Sequence, residues 1–257
     1  MKPVPPALAM TSAAMIAAMT LAFASQAKAT SFTIRIENVS TGRTLQTSKG
    51  DKDAGLSPGA WCLHSGGNPM ITVGEPASTM LERLAEDGNP EGLYSDLQFN
   101  SDVKAVGAFN YAVRPYPVAG FMGSQQAFEF VVENAAPGDR LSWMAMLIES
   151  NDWVYANGPG GIALFDQDGK PISGDVTGQI GLYDAGTESN EEPGVGTNQA
   201  PRQPRPDTGK DTKYPVYAII APRENAGKVG TDPVGSGERK WNVPKIEEVL
   251  KVTITPR

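Results

Sequence analysis

The sequence predicts an all-β protein, an antiparallel β-sandwich with one or two short helices and a long loop rich in proline and glycine. Segments in which apolar and polar residues alternate recur along the chain, and turn-forming residues separate them. The chain has 28 glycines and 21 prolines, as expected for many turns between short strands. Only two segments show helical spacing of apolar residues. We therefore expect about eight or nine short strands with Greek-key links.

The first residues, 1–29, match a secretory signal peptide. Lys2 precedes an apolar run rich in Ala and Met over 7–24, and Ala27-Lys28-Ala29 fits the small-x-small cleavage pattern. A membrane anchor is the alternative, but Thr and Ser interrupt the run and it holds little leucine. We expect export to the periplasm or the medium, and one mature domain over 30–257 without a membrane span.

Composition narrows the range of functions. The chain has 22 basic and 29 acidic residues, a net formal charge of −7. The signal segment holds two of the lysines and no acid, so the mature chain is more negative still. Nucleic acids and anionic membranes bind basic surfaces, so an acidic chain argues against both partners. An acidic surface is compatible with cation binding, although most acidic residues only keep a protein soluble.

Cys62 and His64 are the only cysteine and the only histidine. A single cysteine cannot form a disulfide within the chain, and its apolar surroundings predict a buried, unreactive thiol. A Ser-His-Asp or Cys-His device would have to use His64. The two residues share a face if their segment is a strand, but no oxyanion motif accompanies them. The single histidine excludes a histidine-rich zinc site.

The first part of the mature chain predicts two strands and two short helices. In the first strand, Phe32, Ile34 and Ile36 alternate with polar residues, which is typical of a half-buried strand. The first helix has a proline near its start and Gly88 just past its end. We assign no chemistry to either helix. In chain order, the two strands and the two helices are expected over 31–39, 59–65, 76–87 and 90–99.

The remaining strands support a single domain, because the last strand resembles the first in its pattern. The strand over 141–149 is apolar on both faces, which is typical of a central strand covered on each side. Two long irregular loops are expected over 189–213 and 222–243, and the first is either a disordered linker or an excursion packed on the sandwich. The further strands are expected over 103–113, 126–133, 141–149, 214–221 and 249–255.

Three carboxylates lie at predicted strand ends, beside turn-forming residues. Asp152 follows the central strand closely, whereas Asp184 and Glu188 are four residues apart in one motif. Oxygen-rich loops on a rigid β scaffold can form a site for a hard cation such as Ca²⁺. The simpler interpretation is that Asp152 caps a turn and Asp184 ends a strand, each bonded to backbone amides. Asp166 and Asp168 are assigned to a separate hairpin turn.

The acids lie in two motifs, Ser150-Asn151-Asp152-Trp153 and Leu182-Tyr183-Asp184-Ala185-Gly186-Thr187-Glu188. These motifs resemble those of spondin domains, the family of F-spondin and mindin, and many bacterial secreted proteins look similar. The helical segment from Glu75 to Gly88 also resembles the family, and the resemblance covers residues 31–200 and the last strand. It implies a C2-like β-sandwich that holds calcium at one end. The implied metal ligands are Asp152, Asp184 and Glu188, although the animal proteins have Asp at the last position.

We therefore expect an exported calcium-binding adhesion or recognition module without catalysis, whose partner is an extracellular protein or glycan. One alternative is an extracytoplasmic hydrolase in which Asp152 and Asp184 act as paired acids, as in glycosidases, and Trp153 and Tyr183 stack on a sugar. The other alternative is a carbohydrate-binding sandwich that needs no metal and uses its tryptophans.

Overall fold

The computed structural model describes residues 29–112, 118–218, 241 and 243–257. The predicted signal peptide and most of the predicted loop over 222–243 lie outside these residues. The strands and helices are β1 (Thr30–Asn38), β2 (Leu56–His64), α1 (Thr79–Asp87), α2 (Glu91–Leu97), β3 (Val103–Phe109), β4 (Tyr111–Ala112), β5 (Val118–Ala119), β6 (Ala127–Ala135), β7 (Arg140–Leu147), β8 (Trp153–Asn157), β9 (Ile162–Ala163), β10 (Gly174–Asp175), β11 (Ile180–Asp184), β12 (Tyr217–Ala218), α3 (Ile246–Val249) and β13 (Leu250–Pro256).

The described strands form two antiparallel sheets, and this confirms the predicted all-β sandwich. The first sheet has the order β10-β13-β1-β6-β4-β5, and the second has the order β12-β11-β8-β7-β2-β3, with β9 paired to β7. The described part of the chain contains thirteen strands, more than the eight or nine predicted, because five of them have only two residues. A two-residue strand is too short to show alternation in the sequence.

The first and last strands pair in the middle of the first sheet. Ile34 of β1 lies opposite Ile254 of β13 on one side and opposite Phe130 of β6 on the other. All three side chains are buried. The polar residues that alternate with the buried ones along β1, such as Arg35, remain partly exposed on the outer face of the sheet. The alternation seen in the sequence thus reflects one face on the core and one in water.

The main core lies between the two sheets. Aromatic rings from both sheets meet there: Trp61 of β2 stacks on Phe130 of β6 with ring centroids 5.5 Å apart. Phe109 of β3 stacks on the same ring at 5.2 Å. Trp143 and Trp153 are also buried in this cluster. Each such ring removes a large apolar surface from water, which stabilises the sandwich.

A second core covers the outer face of the second sheet. Leu81 and Leu84 of α1 and Leu93 of α2 pack there against Met144 and Val154 of the sheet. This layer explains why β7 is apolar on both faces, as the sequence predicted for a central strand. β7 indeed lies between β8 and β2. The helices are therefore part of the fold. Their packing on the sheet places α1 close to the loops at one end of the sandwich.

Several predicted boundaries differ from the observed ones, and two of these differences are informative. The first helix begins at Thr79 instead of residue 76, because Ser78 is its N-cap and its hydroxyl accepts a hydrogen bond from Leu81 N at 3.1 Å. The predicted strand over 103–113 is wrong as one element. It ends at Phe109, and β4 then joins the other sheet. None of the described helices has the length and apolar character needed to span a bilayer.

The predicted loop over 189–213 packs on the sandwich instead of forming a separate linker. It contains no helix or strand, yet Ser189 N donates to Lys210 O at 2.8 Å, which closes the loop on itself. The guanidinium of Arg202 forms an ion pair of 2.8 Å with Glu149 just after β7. The side chain of Gln199 is fully buried. This loop therefore forms one wall at the end of the second sheet.

Candidate functional site

A tight turn between β7 and β8 positions Asp152. The hydroxyl of Ser150 donates to Leu147 O at 2.7 Å and accepts from Trp153 N at 3.0 Å. These two bonds fix the conformation of the turn. Asp152 is the last residue before β8, and its side chain is fully buried. The sequence prediction that Asp152 lies at a strand end is confirmed.

The pairing of β8 with β11 brings the second acid to the same end of the sheet. These strands are antiparallel, and Asp184, the last residue of β11, lies opposite Trp153, the first residue of β8. The backbone carbonyl of Asp152 accepts a hydrogen bond from Ala185 N at 3.0 Å. Asp152 and Asp184 are therefore neighbours across two strands, although 32 positions separate them in the sequence.

Backbone amides bind one oxygen of Asp152 and leave the other without a partner. Its Oδ2 accepts from Thr187 N at 2.8 Å and from Glu188 N at 3.1 Å, and the Thr187 hydroxyl lies at 3.4 Å. Its Oδ1 is buried and has no hydrogen-bond partner among the described residues. The turn-capping interpretation therefore accounts for Oδ2 but not for Oδ1.

Asp184 accepts hydrogen bonds on both of its oxygens. Its Oδ1 accepts from Gly186 N at 2.8 Å, while Oδ2 accepts from the Trp153 indole at 3.1 Å and from the Asn190 amide at 2.6 Å. The turn after Asp184 requires glycine, because Gly186 has a φ of 71° and a Cβ there would overlap the Tyr214 carbonyl. This turn aims the amides of the following residues back at the buried acids.

Glu188 is the third predicted ligand, and the structure buries it under the 189–213 loop. Its Oε2 accepts from the Asn151 amide at 3.1 Å, and the same amide nitrogen lies 3.2 Å from Glu191 Oε2. The other oxygen of Glu188 lies against Gly209, where a Cβ would overlap it. Asn151 Oδ1 in turn accepts from Glu191 N at 2.9 Å. Among the described residues, Glu188 is thus held by the Asn151 amide and forms no ion pair with a cationic side chain.

Helix α1 adds a fourth buried acid that the sequence did not assign to the site. Glu86 is only 5% exposed, and its Oε1 is buried without a hydrogen-bond partner among the described residues. Burial raises the pKa of Glu86 to about 8, against a hydrogen bond from Thr187 that lowers it, and the charge of Glu188 raises it further. Glu86 therefore belongs to the same electrostatic cluster as the loop acids.

The acids of the cluster resist ionisation. Burial raises the pKa of Asp152 well above its usual range, and the neighbouring charge of Asp184 raises it further. Burial also raises the pKa of Glu188 to about 7, although the hydrogen bond from Asn151 opposes the shift. No ion pair between described residues includes Asp152, Glu86 or Glu188. Without a cation, the cluster is therefore relieved only by taking up protons.

The donor set suits a hard cation, although it is not fully assembled. Carboxylate and amide oxygens are the ligands that Ca²⁺ prefers, and the unpartnered Oδ1 of Asp152 has no other described role. Asn190 contributes a second buried oxygen without a partner, its Oδ1. In the described part of the chain, no group of three or more His, Cys, Asp or Glu side chains is arranged so that it could hold a metal ion.

His64 and Cys62 lie away from this cluster, on β2. The ring of His64 is fully buried and bonds Ser142 Oγ at 2.9 Å and the Gly66 carbonyl at 3.2 Å. Burial lowers the pKa of His64, which suits a neutral ring that donates to the carbonyl and accepts from the hydroxyl. Burial raises the pKa of the Cys62 thiol to about 12. Ser142 is buried as well, so this Ser-His pair is inaccessible in this structure.

The residues that the hydrolase alternative would use are also inaccessible here. Asp152 and Asp184 are 0% and 1% exposed, and the rings of Trp153 and Tyr183 are buried in the two cores. The Trp153 indole binds Asp184 instead of presenting a face to solvent. Neither of these two rings is therefore exposed for a sugar to stack on.

Three acids of the cluster were predicted from the sequence, and four residues around them were not, namely Glu86, Asn151, Asn190 and Gly209. Asn151 lies within the first motif, and Asn190 lies two residues after the second. Their proximity to the acids along the chain could therefore have indicated that they belong to the site. Glu86 lies outside the apolar stripe of α1, and Gly209 lies in a loop without periodicity. No pattern in the sequence pointed to either of them.

No protein-family model matches this chain, and no curated protein is significantly similar to it. The resemblance to spondin domains therefore stays a prediction based on its motifs.

Proposed function

We propose that this protein is an exported calcium-binding module of the adhesion or recognition type that performs no catalysis. The observation that carries the proposal is the fully buried Asp152, whose Oδ1 has no hydrogen-bond partner among the described residues and whose neighbour is a second buried acid, Asp184. Export rests on the signal-like pattern of residues 1–29. The recognition role rests on the resemblance to spondin domains.

Electrostatics supports a cation at this position. Two neighbouring carboxylates that are both buried destabilise each other when ionised, and burial away from water adds to the cost. The raised pKa of Asp152 expresses this cost. A divalent cation between Asp152 and Asp184 would neutralise both charges, so that neither acid needs to take up a proton. Calcium binding would remove the repulsion present in the metal-free protein, and this relief would add to the favourable free energy of binding.

The residues in place could supply much of a calcium coordination sphere. Calcium takes about six to eight oxygen ligands, and carboxylates, amide oxygens, backbone carbonyls and water all serve. We assign Asp152 Oδ1 and the Asp184 carboxylate as the primary ligands, with Glu188 and Asn190 as secondary ligands. Glu188 would have to leave its present contact with the Asn151 amide, whereas Asn190 Oδ1 has no hydrogen-bond partner to leave. In the described residues, no three acids are arranged to hold an ion.

Isothermal titration calorimetry on the mature protein tests the metal site. We expect one calcium ion per chain for wild type, and binding at least about tenfold weaker for Asp184→Asn, because the variant loses one carboxylate ligand. Asp168→Asn is the matched control, since Asp168 is exposed in a hairpin turn away from the cluster. Equal calcium affinity in wild type and Asp184→Asn would contradict the assignment.

The recognition role needs a separate experiment. We expect the mature protein to retain a ligand on a protein or glycan array when calcium is present and to release it in EGTA, because calcium would order the loops around the cluster. A ligand retained equally in both conditions would contradict calcium-dependent recognition. Cleavage of a bound glycan would contradict the absence of catalysis and favour the hydrolase alternative.

A further inference from the structure

Strand β3 is the longest edge strand of the described sandwich. The first sheet ends in β10 and β5, and the second ends in β12 and β3. The other three edge strands have two residues each, whereas β3 spans seven, Val103–Phe109. An edge strand presents N–H and C=O groups without strand partners, and most proteins keep such strands short or protected. Among the described strands, β3 therefore offers the longest edge to which a further strand could pair.

The register shows which backbone groups of β3 point to this open side. Ser65 N, just after β2, donates to Asp102 O, just before β3, so the odd-numbered residues of β2 face β3. Gly107 lies opposite Trp61 and therefore faces β2. Because backbone groups alternate along a strand, the two residues that flank Gly107 direct their N–H and C=O groups away from β2. One of them, Ala108, is exposed, and no described strand pairs with β3 on that side.

Most of β3 lacks the features that prevent strand addition. Lysines, prolines and bulges are the usual ones. The strand contains no proline, and Lys104 is its only charged residue. The Lys104 ammonium already forms an ion pair with Asp139. A bulge shifts the register near Lys104, but residues 105–109 pair regularly with β2 and carry no charge. This part of the edge is therefore open to pairing.

A cavity of about 420 Å³ opens beside this edge, between the two sheets. The buried side chains of Trp61 and Leu63 line it from the second sheet, together with Ala105 of β3, and Val131 of β6 lines it from the first sheet. Ala105 packs against the main core, so its side chain lies on the inner face of β3. Opposite residues of paired strands point to the same face. A strand added to β3 would therefore place the side chain opposite Ala105 in this cavity.

We propose that β3 binds an extended segment of a partner protein as an additional strand, with a large apolar side chain of that segment in the cavity. The backbone groups of the edge supply hydrogen bonds, and the cavity selects one side chain. Its volume lies in the range of about 300–1,000 Å³ that is typical of ligand sites. Glu133 lines the cavity, is exposed, and forms no ion pair with a described residue, so a basic residue next to the apolar one suits this site.

A second copy of this chain suits the edge less well than a different partner. If β3 paired with β3 of another copy, only Ala105, Gly107 or Phe109 could face the cavity, because these residues lie on the inner face. Phe109 is already buried in its own core, and the other two are too small to fill the cavity. Each copy also has a net formal charge of −7, so two copies repel each other.

Peptide selection tests this proposal with a defined probe. Random peptides of about nine residues, long enough to pair with all of β3, are displayed on phage and selected on the immobilised mature protein in EGTA. We expect the enriched peptides to share one large apolar residue and to lack proline beside it. The best peptide is then synthesised, and its affinity is measured by fluorescence polarisation. N-methylation of alternate residues should abolish binding in one of the two possible phases and change it far less in the other, because only one side of an added strand bonds β3.

Two variants of the protein test the site from the other side. Ala108→Pro removes an N–H that has no described strand partner, so it should keep the fold and weaken peptide binding at least about tenfold. Ala108→Ser keeps this N–H and is the matched control, with unchanged affinity. Ala105→Phe should fill the cavity and weaken binding as well. Circular dichroism checks the fold of each variant, and the N-methylated peptides need no variant at all.

Three results would overturn the proposal. The first is that no peptide is enriched, or that the selected peptide binds wild type and Ala108→Pro equally. The second is a wild-type dimer in sedimentation velocity that Ala108→Pro dissociates, because the edge would then bind a second copy. The third is peptide binding that requires calcium and is lost in Asp184→Asn, because the peptide would then belong to the proposed calcium site. Peptide binding in EGTA together with no calcium binding would leave this proposal intact and contradict only the calcium site.

Discussion

Replacing Asp152 with asparagine should separate the structural role of this residue from its role as a metal ligand. The amide oxygen of the variant can accept the hydrogen bonds from Thr187 N and Glu188 N that Oδ2 now accepts at 2.8 and 3.1 Å. The amide nitrogen then takes the place of Oδ1, which has no described partner. The substitution thus keeps the shape of the turn and removes one buried negative charge.

The thermal shift follows from this geometry. In EGTA we expect Asp152→Asn to be at least as stable as wild type, because burial and Asp184 raise the pKa of Asp152 and make its ionised form costly. Calcium at 100 times its Kd stabilises a native protein by about 2.7 kcal/mol. For a domain of this size, that free energy raises the melting temperature by about 5–10 °C. Asp152→Asn should lose most of this rise.

Differential scanning calorimetry at pH 7.5, with calcium and with EGTA, measures both effects. Asp168→Asn is the control and should show the full rise, since its exposed carboxylate lies outside the cluster. An equal rise in calcium for Asp152→Asn and wild type would refute the assignment of Asp152 as a ligand. A variant several kcal/mol less stable than wild type in EGTA would also refute it, since Asp152 would then be a purely structural residue.

Three further predictions concern the rest of the cluster and its support. Gly209→Ala should weaken calcium binding in calorimetry without changing any charge, because the added Cβ displaces the Glu188 carboxylate, and unchanged affinity would exclude Glu188 as a ligand. In EGTA, burial raises the folded pKa values of Glu188 and Glu86 to about 7 and 8, so the native state binds more protons than the unfolded state between pH 4.5 and 8. The free energy of unfolding should therefore fall in this range by up to about 1.4 kcal/mol per pH unit for each acid. Urea unfolding at several pH values measures this slope, and a stability that rises with pH would contradict it. Leu84→Ala should cost about 2–5 kcal/mol in the same assay, since Leu84 is fully buried between α1 and the second sheet, and a loss under 1 kcal/mol would mean that the helix layer is not a true core.

Periodicity predicted most of the fold because sheet faces and helix faces differ in their contact with water. The strand at 31–39 and the last strand alternate because one face meets the core, and β7 is apolar on both faces because α1 and α2 cover its outer side. The pairing of β1 with β13 was not predicted, because the similar patterns of the two strands indicated a single domain but not which strands are neighbours. These features depend on burial, which the residue types express directly.

Other features depend on contacts between distant segments, which a single sequence does not express. The switch from β3 to β4 moves the chain between sheets without any break in the apolar pattern at 103–113. Gly209 and Glu188 meet only because the 189–213 loop folds back onto the motif. Glu86 joins the cluster through the docking of a helix, so neither its spacing nor its neighbours in the chain marked it.

A crystal structure of the mature protein grown with calcium at 100 times its Kd tests the central claim most directly. We predict one ion with anomalous signal within about 2.3–2.6 Å of Asp152 Oδ1 and of an Asp184 oxygen, with Glu188 or Asn190 drawn toward it. A structure in which Asp152 Oδ1 still lies without a ligand, or in which calcium binds only elsewhere, would contradict the claim.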